Sequence, residues 1–148
     1  MTEVCLSEIH FLEDSDDEVF ISQLLLKQEK ICADLIHHSD FSSFSKSLEA
    51  RKPDTVILAF VDLNLPGTKG TEIVSQVLEH FEKNVILGIC SGSEDPEDIR
   101  LSFKSGAHFF ANKPLGKIAI EAACRSVPEL MLRENTDESI EIIYSVKQ

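Results

Sequence analysis

Residues Thr55 to Val61 read T-V-I-L-A-F-V, an apolar run with no charged residue that passes directly into Asp62. The run is short for a helix and lacks the alternation of a half-exposed strand. It reads as a central parallel strand covered on both faces. Such a strand must be sandwiched between helices, which constrains the chain to a layered α/β architecture.

The flanking sequence supplies the other layers. Ile9–Leu12 reads as a first strand, followed by a helix with Val19, Phe20, Gln23, Leu24 and Lys27 along one stripe. Ile31–Ile36 reads as a second strand, and a helix from about Asp40 carries Phe41, Phe44 and Leu48 at spacings of three and four. After the Pro66-Gly67 turn, Ile73, Val74, Val77, Leu78 and Phe81 mark a third helix, and Val85–Ile89 a buried strand. Asp95 followed by Pro96 is an N-cap with proline at the first helical position; that helix carries Ile99 and Phe103 and stops at Gly106. His108–Ala111 is a short fifth strand, and Gly116 precedes a helix with Ile118, Ile120, Ala122 and Ala123. Pro128 cannot continue that helix without losing a hydrogen bond, so a kink or restart is expected there. The order is (βα)5, which predicts right-handed crossovers and helices on both faces of a parallel sheet. The sequence assigns no definite structure to the tail from Asn135.

A formal charge of -12, from 14 basic against 26 acidic residues, disfavours nucleic-acid binding. No apolar run is long enough to span a bilayer, and M-T-E-V-C-L-S-E offers no export signal, so a cytoplasmic protein is expected. Cys5, Cys32, Cys90 and Cys124 form no C-x-x-C motif and are read as reduced, mostly buried thiols.

In a doubly wound sheet the functional rim lies beyond the carboxyl ends of the strands. The first strand ends in Glu13 and Asp14, the third in Asp62 and the fourth in Ser91, while the fifth ends just before Lys113. Carboxylates gathered on one rim repel one another unless a cation neutralises them. Mg2+, which favours one or two carboxylates with water and phosphate oxygen, suits Asp14 and Asp62. An aspartate beside such an ion can attack a phosphoryl group, with Ser91 and Lys113 holding its oxygens. Asp16, Asp17 and Glu18 are read instead as a first helical turn favourable to the helix dipole. Of the histidines, only the adjacent pair His37 and His38 has any grouping, and it is assigned to strand or loop. Gly67-Thr68-Lys69-Gly70-Thr71 is not a phosphate-binding G-x-x-x-x-G-K-[ST] loop.

The acidic pair near residue 13, V-D-L-N-L-P-G around Asp62, I-C-S-G-S around Ser91, S-G-A-H-F-F, and N-K-P-L around Lys113 together resemble the receiver domain of two-component response regulators. The resemblance runs from about Ile9 to the helix before Pro128, and the step of 22 residues from Ser91 to Lys113 agrees with the family. It implies a flavodoxin-like fold with strand order 2-1-3-4-5. It also implies a receiver domain over residues 1–134, with 135–148 as a tail. By the same resemblance Asp62 is the phosphoacceptor, Glu13, Asp14, Asp62 and the backbone carbonyl of Asn64 bind Mg2+, and Ser91 and Phe110 are the switch pair. Lys113 is the matching lysine, joined to Pro114 by a cis peptide. Serine stands at 91 where threonine is commoner. Phe110 reads equally well as a simple core or surface aromatic.

The expected role is a stand-alone, chemotaxis-type regulator that takes a phosphoryl group from a histidine kinase or phosphotransfer protein and signals by binding a downstream effector protein. No nucleic acid or membrane is involved, and the protein is a monomer or a phosphorylation-dependent homodimer. No output domain is expected in the few residues after Pro128. Catalysis is limited to self-phosphotransfer and autodephosphorylation. The alternatives are a degenerate receiver acting without phosphorylation, which intact Asp62, Asp14 and Lys113 argue against, and an aspartyl-phosphate phosphatase. The latter usually carries a second aspartate two residues after the nucleophile, where this chain has Asn64.

Overall fold

The computed structural model describes residues 2–146. Its elements begin with β1 (Thr2–Leu6), β2 (Glu8–Leu12), α1 (Asp16–Gln28), β3 (Asp34–His38), α2 (Phe41–Ala50) and β4 (Ile57–Asp62). A two-residue hairpin of β5 (Asn64–Leu65) and β6 (Thr68–Lys69) leads into α3 (Gly70–Phe81), β7 (Val85–Ser91), α4 (Pro96–Lys104), β8 (Phe109–Asn112) and α5 (Lys117–Ser126). The chain closes with β9 (Leu130–Glu134) and β10 (Ile140–Val146).

Five strands form one sheet in the order β3-β2-β4-β7-β8, with every neighbouring pair parallel. Counted by βα unit this is 2-1-3-4-5, the flavodoxin-like arrangement. β4 is buried along its whole length, as its unbroken apolar run requires. Leu58 and Phe60 join a core that includes Leu26 of α1 and Ile120 of α5. Ile57, Ala59 and Val61 face the opposite layer, with Phe44 of α2 and Val74 of α3. Each face therefore takes alternate residues of the run. Phe60 meets Phe109 of β8 edge-on, with ring centroids 4.8 Å apart, and complete burial of such a ring stabilises by roughly 2–3 kcal/mol.

The helix starts follow from their caps. Ser15 accepts from the Glu18 amide at the head of α1, Asp40 from the Ser43 amide at α2, and Asp95 from the Glu97 amide at α4. Each side chain satisfies a donor that the helix itself leaves free.

Several expectations are corrected. The second strand begins at Asp34 rather than Ile31 and extends to His38. Ile31 instead donates its amide to Leu26 O to finish α1, and it bridges Ile140. The expected stripe of α1 is also turned. Val19, Ser22 and Leu26 are buried, while Phe20, Ile21 and Leu24 are exposed. The fifth strand runs Phe109–Asn112; His108 stands just before it, donating its amide to Leu87 O and accepting the Leu87 amide through its ring Nδ1. Among the described residues no helix restarts after Pro128: α5 ends at Ser126, and the chain turns into β9. Cys5 and Cys32 are exposed, Cys124 is half-buried, and only Cys90 is buried, so the thiols are not mostly buried, although all four are free.

Both ends of the chain build a second, antiparallel sheet in the order β1-β10-β9. Only Ser7 separates β1 from β2, so the chain passes from the small sheet directly into the large one. Leu6, Leu130, Ile140 and Ile142 are buried in the same core as α1 and α5. The residues from Asn135 to Val146 thus form a turn and a seven-residue strand. Among the described residues, no helix is long and apolar enough to cross a membrane.

Candidate functional site

The strand order reverses at β2, which lies between β3 and β4, and the carboxyl ends of β2, β4, β7 and β8 open onto one rim. Glu13 and Asp14 follow β2 directly, Asp62 is the last residue of β4, Ser91 closes β7, and Lys113 follows β8. Residues up to 100 positions apart are placed together by parallel strands ending at the same level.

Lys113 is the centre of the arrangement. Its Nζ lies 2.6 Å from Glu13 Oε1 and 3.0 Å from Asp62 Oδ1. The side chains of Glu13, Asp62 and Lys113 are 1%, 8% and 17% exposed, so these contacts are shielded from the screening that weakens surface ion pairs. Asp14 is exposed, and one ligand oxygen from each of Glu13, Asp14 and Asp62 lies within 4.8 Å of the others.

Burial raises the pKa of Glu13 above the usual carboxylate range; the Lys113 hydrogen bond opposes the rise, and the neighbouring Asp62 adds to it. For Lys113, burial works against the charge, but hydrogen bonds to Glu13 and Asp62 outweigh it and hold the ammonium above its ordinary value. When all three carboxylates are ionised they exceed the single ammonium by two charges. All the donors are hard oxygens, which fits a hard divalent cation.

The surrounding backbone is tightly fixed. The Gly70 amide donates to Leu63 O at 2.8 Å, bringing the start of α3 against the end of β4. A Cβ at Gly70 would stand 2.3 Å from the carbonyl oxygen of Asp62, a backbone atom that no rotamer change can move aside. Pro66 and Gly67 close the β5–β6 hairpin, Gly67 taking the positive φ of 78° that glycine tolerates. Asn64 is exposed at the start of that hairpin. Ser91 is buried, and its Oγ accepts the Ser93 amide at 3.0 Å. Ser93 is itself held, donating its hydroxyl to Asp98 and accepting Asn112 Nδ2 at its carbonyl. Phe110 is half-buried and packs against the α2/α3 core. The Lys113–Pro114 peptide is cis.

Glu13, Asp14, Asp62 and Lys113 are thus in one cluster. Ser91 stands at the end of the strand beside Asp62's own, where Asp62 pairs with Cys90. Sequence reasoning passed over two groups nearby. His37 hydrogen-bonds the Glu13 carbonyl, and Ser93 and Asn112 hold the loop after Ser91. The partners of His37 and Asn112 are distant in the chain, and no local period marks them.

Comparison with known proteins agrees with the architecture. The response regulator receiver domain model matches residues 9–125. The transcriptional regulatory protein AfsQ1 of Streptomyces coelicolor is 29% identical over 94 residues, 64% of this chain and 40% of that protein, so the chain spans less than half of this relative's length. The bacteriophytochrome response regulator AtBRR superposes with a TM-score of 0.67 at 18% identity, covering 83% of this chain and 93% of that one. The Mn2+-bound form of response regulator Rcp1 superposes with a TM-score of 0.58 at 18% identity, over 81% and 88% of the two chains. With the family model matched across most of its length and the fold and acidic rim in agreement, the chain belongs to the response regulator receiver domain family.

Proposed function

We propose that this protein is a single-domain response regulator that accepts a phosphoryl group on Asp62 from a phosphohistidine of a histidine kinase or phosphotransfer protein. The observation that carries the reading is the buried Asp62–Lys113–Glu13 contact beside exposed Asp14. An ion pair walled off in this way costs desolvation energy that a structural role alone would not require.

An oxygen of Asp62 attacks phosphorus, the N–P bond of the donor breaks, and the departing imidazole takes up a proton. Asp14 and Asp62, with Glu13 behind them and the carbonyl of Asn64 beside them, would hold Mg2+, which when bound offsets the negative charge of the phosphoryl oxygens. Lys113, already hydrogen-bonded to Asp62, is placed to follow the new acyl phosphate and pair with one of its oxygens. Ser91 offers a hydroxyl to another once it releases the Ser93 amide. Movement of that loop would shift Phe110 and the surface of α4, β8 and α5, a local charge change biasing a two-state element. A downstream effector protein reads this surface in a cytoplasmic setting. Turnover is confined to self-phosphotransfer and autodephosphorylation.

Titration with beryllofluoride in Mg2+ tests the reading by amide NMR. Shifts are expected at Asp62, Ser91, Phe110 and Lys113 in wild type and none in Asp62→Asn. An unresponsive wild type, or equal shifts in both proteins, would overturn it.

A further inference from the structure

Leu12 and His38 form the last residue pair of the β2–β3 ladder. Beyond it, the Glu13 amide still donates to His38 O at 3.0 Å. The Glu13 carbonyl lies past the register, where no strand amide reaches it. His37 takes it instead, with Nε2 at 2.7 Å from Glu13 O. A carbonyl can only accept, so the Nε2 proton is the one donated, and the tautomer of His37 follows from this contact.

The other end of the same peptide unit is also held. The Asp14 amide donates to Glu13 Oε2 at 3.1 Å, while Glu13 Oε1 is held by Lys113 at 2.6 Å. The plane joining Glu13 to Asp14 is therefore fixed at its carbonyl by His37 and at its N–H by the Glu13 carboxylate. The direction in which Asp14 leaves the backbone depends on that plane. Asp14 is exposed and has no side-chain hydrogen bond of its own among those described, so the backbone is what aims it.

We infer that His37 is a positioning residue for the divalent-cation site, fixing the Glu13–Asp14 peptide so that Asp14 converges on Asp62. This rests on the reading of the site as a Mg2+-dependent phosphoacceptor. Groups that orient metal ligands commonly carry a 10–100-fold share of metal affinity; with one hydrogen bond to a ligand's backbone, the lower end of that range applies.

Three variants separate the hydrogen bond from the bulk of the ring. His37→Gln places an amide nitrogen near the Nε2 position, His37→Asn places one near Nδ1, too short to reach the carbonyl, and His37→Leu has none. Mg2+ binding is measured on each full-length protein by isothermal titration, with urea unfolding to confirm that each is folded. Leu and Asn variants are expected to bind Mg2+ about tenfold more weakly than wild type, and the Gln variant near wild type. At saturating Mg2+ all four should reach the same phosphorylation rate with acetyl phosphate.

Equal Mg2+ affinity in wild type and the Leu and Asn variants would overturn the inference while leaving the site intact. A Gln variant as weak as Leu would overturn it too, by assigning the effect to the ring's packing. A wild type that takes up no Mg2+ would overturn the reading of the site itself, and this inference with it.

Discussion

The side chain that most shapes the site is Lys113, because one ammonium holds two buried carboxylates from different strands. Without it, Glu13 and Asp62 would face each other with little water to separate them. Lys113→Met is expected to lower unfolding free energy by about 2 kcal/mol in chelator at pH 8. The loss should shrink as pH falls, because burial already favours the protonated form of Glu13. Urea titrations at several pH values check both statements, and a loss independent of pH would contradict them. The residues of this cluster were legible in the sequence because each ends an apolar run. Their contacts were not legible, and neither was His37, whose partner is a backbone carbonyl on another strand. The sequence marks which residues stand at the rim, whereas the register of β3 decides which side chain reaches which carbonyl.

At the scale of elements, the strands of the parallel sheet announced themselves, β8 to within a residue at each end, and the edge strand β3 was the one displaced. Ile57–Val61 of the run T-V-I-L-A-F-V and all of Val85–Ile89 fall inside β4 and β7, while Thr55 and Val56 precede the strand, since covered strands have no polar face to confuse the pattern. The second strand lies at the sheet edge, where the apolar Ile31 could be spent on closing α1 and bridging β10. α1 exposes Phe20 and Leu24 for a related reason: its amphipathic stripe depends on the angle at which it meets the sheet, which spacing alone does not fix. β1, β9 and β10 were missed because their pairing joins the two ends of the chain. That sheet is integral to the core, since Ile142 of β10 is fully buried. Ile142→Ala should cost about 3 kcal/mol, measured as a fall in the urea midpoint. A change below about 0.5 kcal/mol, the range of ordinary surface substitutions, would show that the sheet is only an appendage.

Across the whole molecule, stability should depend on pH through a pair of histidines outside the Glu13–Asp62–Lys113 cluster. His10 Nδ1 and His38 Nε2 are 3.0 Å apart beneath α2, and His38 Nδ1 meets Ser43 Oγ at 3.0 Å. Phe44 packs on both rings, Glu8 lies 3.6 Å from His10 Nε2, and Asp40 and His37 are the other charged or titratable groups acting on His38. Burial lowers both imidazoles from 6.5 to about 4. The unfolded chain therefore binds more protons between these values. The histidine contribution is complete above pH 6.5 and is lost as pH falls towards 4, a change of a few kcal/mol for the pair. Glu13 acts in the opposite sense. Wild type should lose urea resistance between pH 7 and pH 4.5 by more than the double variant His10→Leu, His38→Leu, and parallel losses would contradict the assignment.

The family, the sheet and the acidic rim converge on one atom group, the carboxylate of Asp62. The direct measurement is intact mass after incubation with Mg2+ and acetyl phosphate, followed by peptide mapping of any adduct. One added phosphoryl group on wild type, mapped to Asp62, absent from Asp62→Asn and reversed by chelator-free ageing at neutral pH, is the predicted result. No adduct on wild type, or an adduct that persists in Asp62→Asn, would contradict the account.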